Sequence, residues 1–163
     1  MIVAVNPVGD TGKTGGFADL HRRFAVEKLF CVEDGVYFSI QSLRQDGFVH
    51  ELFELGFSDW FYASLLLSDN RFAVAQMYGV LIFCKNETAI TIQSFLVNRI
   101  REHRIIDAYD LLTELTDRFG CNVEDKSRIP YRLDNTEVYH DDILDRYYAN
   151  ADMYYQDLDE GGF

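Results

Sequence analysis

The spacing of apolar positions changes several times along this chain, and each change marks an element. In residues 17–30, Phe17, Leu20, Phe24 and Leu29 share a helical face, with Arg22, Arg23 and Lys28 outside it. Residues 36–40 (VYFSI) have strand composition. Residues 42–57 read as a helix interrupted at Gly47 and stopped at Gly56, with Phe48, Leu52 and Leu55 on one face. A Ser58 or Asp59 cap then opens a nearly all-apolar helix over 60–67. Residues 71–74 and 80–84 read as two strands joined through Gly79, an antiparallel hairpin. Ile92, Phe95, Leu96 and Ile100 define a helix over 92–103. Another follows from Asp107, with Tyr109, Leu112, Leu115, Thr116 and Phe119 recurring at steps of three and four and Gly120 as its stop. A polar segment with Ile129, Tyr131 and Leu133 leads to two short strands, 138–140 and 146–149, around an acidic connection.

The chain says much the same thing twice. Residues 48–57 (FVHELFELGF) and 109–120 (YDLLTELTDRFG) are both amphipathic helices ending in Phe and Gly, each followed by a second helical segment and a hairpin. This order resembles that of winged-helix modules, including small accessory domains of bacterial transcription and mobile-element proteins. The resemblance covers roughly residues 36–155 and rests on element order rather than on a motif. It implies an α+β fold of two winged-helix-like units, over 17–87 and 88–163, behind a flexible arm at 1–16. It also implies a regulatory, DNA- or protein-binding role.

Charge modifies this picture. The net charge is −12, and residues 134–163 hold one basic and nine acidic residues, so most of the excess lies in the last thirty positions. Such an end repels a phosphate backbone and favours basic partners. An apolar run long enough to span a membrane is absent from the sequence, and its start lacks a secretory signal pattern. Three well-separated cysteines, Cys31, Cys84 and Cys121, each beside apolar residues, read as buried reduced thiols, which places the protein in a cytoplasm.

Candidate chemistry follows from these elements. In helix–turn–helix proteins the second helix reads base edges. In the first unit that helix, 58–67, offers no Arg, Lys, Asn or Gln. In the second unit Lys126, Arg128 and Arg132 lie within seven residues, and Arg128 and Arg132 are four apart on one helical face. Arg99, Arg101 and Arg104, at the end of the preceding helix, are the expected backbone contacts, though a helix C-terminus attracts cations without any ligand. Pro130 restricts the recognition segment to a helix first turn. For a protein partner, Tyr139, Tyr147, Tyr148, Asp141 and Asp142 form the expected aromatic and acidic surface. Trp60, Phe61 and Tyr62 are expected in the core rather than at an interface. The charge favours a basic protein partner over DNA. Two further readings remain: an acidic inhibitor imitating nucleic acid, and a degenerate nucleotide-binding loop at 9–14. There Gly12, Lys13 and Thr14 fit the phosphate-loop pattern, but Pro7 occupies the first glycine position. The scattered histidines and the lack of a CxxC or nucleophile-elbow pattern give no enzyme, metal or cofactor assignment.

Overall fold

The computed structural model describes residues 32–47, 55–124 and 127–160. The expected helix at 17–30, the arm at 1–16 with its 9–14 loop, residues 48–54 and Lys126 lie outside the described residues. The remainder is a mixed α+β structure in which six α-helices and two three-stranded antiparallel sheets are described.

The first half runs β1 (Tyr37–Phe38), α1 (Ile40–Gln45), α2 (Asp59–Leu67), β2 (Phe72–Met77) and β3 (Val80–Lys85), with strand order β1-β3-β2. Ser39 turns the expected 36–40 strand into a helix start. Its side chain accepts from Ser42 N at 3.0 Å while its own N–H donates to Ser42 Oγ at 2.9 Å. Gly47, at φ +78°, lies just beyond the end of α1, as the sequence anticipates. The hairpin is longer than expected because Gln76 and Met77 belong to β2. Its turn is only Tyr78-Gly79, with φ +48° and +83°, the two-residue connection whose twist matches the strands.

The second half runs α3 (Ile92–His103), β4 (Ile105–Asp107), α4 (Ala108–Thr113), a π-helical turn (Glu114–Arg118), α5 (Arg128–Arg132), β5 (Tyr139–Asp141), β6 (Arg146–Tyr148) and α6 (Ala151–Glu160). Its sheet has the order β4-β6-β5. Each half therefore contains a strand, helices and a hairpin in the same succession, with the first strand paired to the third. Thr91 caps α3 through the same reciprocal arrangement with Ser94. β4 was not legible in the sequence: three residues leave little alternation to detect, and Arg104 at φ +67° turns the chain abruptly out of α3.

The inward face of α4 also differs from expectation. Ala108, Leu111, Leu115 and Phe119 are buried, whereas Tyr109 is 73% exposed. The π turn continues the helix as a wider ring, with Phe119 N–H donating to Glu114 O, and Cys121 N–H donating to Leu115 O closes the helix end. The expected stop at Gly120 holds. It has φ +76°, and a Cβ there would lie 2.5 Å from Gln41 Oε1.

The central sheet of the first half is covered on both faces. Phe38, Phe72 and Phe83 face α1 and α2, where they meet Ile40, Leu43, Tyr62, Leu65 and Leu66. Tyr37, Met77, Ile82 and Cys84 face the second half and join Phe95, Leu96, Ile100, Leu115 and Phe119 in one cluster. The Phe95 ring lies 5.6 Å from Tyr37 and 5.0 Å from Phe119. The expected boundary at 87/88 thus divides elements but not the hydrophobic core. Phe95→Ala should cost about 3–5 kcal/mol, the usual range for emptying a buried phenylalanine site. Urea unfolding followed by near-ultraviolet and far-ultraviolet circular dichroism should then show one shifted, coincident transition. Two separated transitions would mean that the halves unfold independently.

Candidate binding groove

The arginines of α3 do not form a common surface. Arg99 is 1% exposed, which removes it from any set of phosphate contacts. Its Nη1 donates to Glu114 Oε1 at 3.2 Å and its Nη2 to Asn98 Oδ1 at 2.9 Å. It also pairs with Glu102 and lies over the Phe119 ring. Burial of so large a cation is possible because Glu114 lies beside it. Arg101 is exposed and paired with Glu137. Arg104 is exposed but carries the positive-φ turn into β4, where its carbonyl accepts from Ala149 N at 2.8 Å.

The short helix α5 has two different sides. Pro130 is its third residue, in the first turn, where no intrahelical N–H bond is required. Ile129 and Leu133 anchor α5 in the core. Arg128 and Arg132, both exposed, line one crevice with Tyr78, Ile92, Asn122, Val123 and Glu124. The i,i+4 expectation for the two arginines is met, but Glu124 shares their crevice. Tyr78 belongs to the turn of the first hairpin, and its carbonyl accepts from Asn122 N at 2.8 Å.

The other side of α5 faces the second hairpin across a groove of about 470 Å³. Pro130, Tyr131 and Asp134 form one wall, and His140, Asp142 and Asp145 the other, over Tyr147. His140 stacks on Tyr147 with ring centroids 4.4 Å apart. Its Nδ1 lies 2.9 Å from Asp142 Oδ1 and its Nε2 lies 3.5 Å from Asp145 Oδ1. Beside the groove the hairpin loop displays Ile143 at 94% and Leu144 at 51% exposure, while Tyr131 is 76% exposed. Among the described residues the lining carries three carboxylates and no lysine or arginine, next to large exposed apolar side chains.

This arrangement reassigns most of the expected protein-binding residues. Tyr147 and Tyr148 are each 1% exposed. Burial pushes the Tyr147 phenol far above its ordinary range. Burial, followed by the hydrogen bond to Asp157 at 2.8 Å, raises that of Tyr148. Both tyrosines anchor the sheet rather than face a partner. Asp141 is 9% exposed, and its Oδ1 accepts from Ile143 N at 2.8 Å and Leu144 N at 3.0 Å, which shapes the hairpin loop. Tyr139 is half-buried and stacks on Tyr154 of α6 at 4.2 Å. Only Asp142, with a side chain 92% exposed, stands at the surface as expected. Asp134, Asp145, Tyr131 and Ile143 were missed. The signal was the sequence DDILD, which places two large aliphatic residues at the tip of an acidic turn, where they have nothing to pack against.

The first half exposes a further aromatic. Tyr62 is fully buried and accepts from Phe57 N through its hydroxyl, as a core residue should. Trp60, however, is 67% exposed beside a crevice lined by Ile40, Ala63, Gln76 and Leu81, contrary to the expected core position. Two residues earlier in α2 than Tyr62, it lies on the opposite side of the helix.

The described cysteines are not built as nucleophiles. Burial pushes the Cys84 thiol up to about 11 and the Cys121 thiol up to about 12. Among the described residues no group of three or more His, Cys, Asp or Glu side chains is placed to hold a metal ion. Nor is any described helix long and apolar enough to cross a membrane. No protein-family model matches the chain, and no curated protein or solved structure shows significant similarity to it.

Two outcomes are expected from this geometry. Asp141→Ala should lower stability by about 1 kcal/mol, the usual value of a side-chain cap on backbone amides, and should speed hydrogen exchange at Ile143 and Leu144. Unchanged exchange there would sink the capping role. The buried Cys121 should also make stability fall at high pH. The folded state keeps the thiol proton, whereas the unfolded chain releases it near the ordinary value of 9.0. Its contribution is complete below that value and is lost as pH rises towards about 12, at up to about 1.4 kcal/mol per pH unit. Urea midpoints for wild type and Cys121→Ser should therefore converge between pH 9 and 11. A constant difference would disprove the linkage.

Proposed function

We propose that this chain is a non-enzymatic regulatory binding module of two winged-helix-like units, and that it engages a basic protein partner. The repeated element order and the first-to-third strand pairing in each half support the winged-helix reading. The partner class rests on one observation: among the described residues lining the face between α5 and the second hairpin, Asp134, Asp142 and Asp145 are carboxylates and none is a lysine or arginine. In a helix–turn–helix protein the corresponding second helix meets the negatively charged major groove. Here that approach brings like charges together, which costs affinity for a phosphate backbone and rewards a cationic protein surface. The exposed Tyr131 of α5 and the exposed Ile143 and Leu144 of the hairpin loop add the apolar contact area that protein interfaces use and phosphate contacts do not.

A DNA-binding reading retains one supporting feature, the common face of Arg128 and Arg132. Fluorescence anisotropy with mixed-sequence duplex DNA separates the two readings. The expected result is no salt-sensitive binding, even at low ionic strength. Binding that weakens steeply as salt rises, and that Arg128→Ala diminishes, would overturn the protein-partner reading in favour of phosphate contacts.

A further inference from the structure

We propose that the outer edge of β2 pairs antiparallel with the same strand of a second copy of this chain. This surface is separate from the groove beside α5. β2 lies at the border of its sheet, hydrogen-bonded to β3 on one side only. The two-residue turn at Tyr78-Gly79 makes Met77 and Val80 a hydrogen-bonded pair, and bonded and non-bonded pairs then alternate along the ladder. Ala73, Ala75 and Met77 therefore direct their backbone groups at β3, and Phe72, Val74 and Gln76 direct theirs outward. The bond from Asn86 N to Arg71 O, at 2.8 Å, keeps the same parity. Near the ends of the strand the outward groups are partly engaged: Phe72 N–H donates to Asp69 O at 3.3 Å, and Tyr78 O accepts from Asn122 N. Among the described residues, the backbones of Val74 and Gln76 have no partner on that side, and both residues are exposed.

An open edge is normally kept short, charged, bulged or interrupted by proline, because it templates pairing with another strand. The other described edges are short: β1 has two residues, and β4 and β5 have three each. β2 has six, in unbroken register, and its sequence FAVAQM holds no charge, proline or glycine. A second copy fits this edge by symmetry. About a two-fold axis at Ala75, Val74 of each chain faces Gln76 of the other, and each such pair exchanges both of its backbone hydrogen bonds. The axis falls on a small side chain, and the strand brings no charge to the seam, so two chains of net charge −12 can approach there. On the sheet face that carries Val74 and Gln76, Trp60 is 67% exposed at a crevice it shares with Gln76 and Leu81. Pairing brings Val74 of the second copy next to Gln76, beside this indole, and removes apolar surface of both from water. Asp59, also at the crevice, already pairs with Arg44, so it does not select a basic segment instead.

Sedimentation velocity of the full chain over a concentration series, with residue-resolved amide exchange by NMR, tests the pairing. The expected result is a reversible monomer–dimer equilibrium that tightens as salt screens the net charge. The Val74 and Gln76 amides should exchange rapidly in dilute protein and slowly once the dimer forms. Those of Ala73 and Ala75, already bonded to β3, should be slow throughout. Gln76→Lys, on an exposed side chain, should weaken dimerisation about tenfold by placing a cation at either end of the seam. Val74→Pro should abolish it, since the proline removes an outward donor and no bond to β3. Far-ultraviolet circular dichroism checks that each variant is folded, and Gln76→Lys carries the test where Val74→Pro is not. A chain that stays monomeric at millimolar concentration would overturn the proposal, as would a dimer in which the Val74 and Gln76 amides still exchange rapidly. Slow exchange of these amides only on adding an extended valine–threonine peptide would overturn the second copy as the occupant and give the edge to a strand of another protein.

Discussion

Glu114 is the residue on which the arrangement of the two halves depends. Its carboxylate, 11% exposed, receives Arg99 from α3 and Arg118 from the end of the π turn, and His103 Nε2 lies 2.9 Å from its second oxygen. Arg118 in turn reaches Asp46 at the end of α1, 2.9 Å away, and this bond is the main reason its guanidinium holds its proton even more firmly than usual. One buried carboxylate thus ties three helices from both halves. Pairs of this kind add little net stability compared with a well-packed apolar core. Removing one partner leaves a charge stranded out of water, at a cost of about 3–5 kcal/mol. The constraint is therefore geometric: few alternative packings of α1, α3 and α4 satisfy all these groups together.

The irregular helix belongs to the same seam. Gln41 Nε2 donates to Asp117 O at 2.6 Å, and Gln45 donates to the same carbonyl. As a last-turn carbonyl it has no donor within its own helix. The chain then turns at Gly120, where a side chain would collide with Gln41. Together with the doubly covered sheet, these contacts make the two halves one packing unit. A strand order that looks modular coexists with a core that is shared.

Much of this was legible from residue spacing. The bounds of α3, the hairpin through Gly79, the stop at Gly120 and the α+β class follow from local signals that the tertiary structure leaves unopposed. What was lost came from long-range effects. Tyr109 and Leu115 satisfy the same periodicity, and only the π turn and the neighbouring sheet decide which faces inward. Arg99 reads as a surface cation because its carboxylate partner is fifteen positions away, on another helix. Tyr147 and Tyr148 read as an exposed aromatic pair, yet β4, too short to recognise, covers their strand. The candidate groove was half visible: the acidic connection stood out, but the placement of Tyr131 across from His140 and Asp142 depends on how α5 docks.

The two hairpins have unequal fates. The turn of the first is fastened to the second half, through the Tyr78 carbonyl and the Asn122 amide, whereas the loop of the second projects Ile143 into solvent. A duplicated pattern would ordinarily suggest two equivalent docking faces and a bridging role. Here the first hairpin's turn is taken up by internal cohesion, so among the described residues the two hairpins are not equivalent surfaces. On the proposed partner-binding reading, bridging two partner sites would therefore require two chains rather than the two hairpins of one.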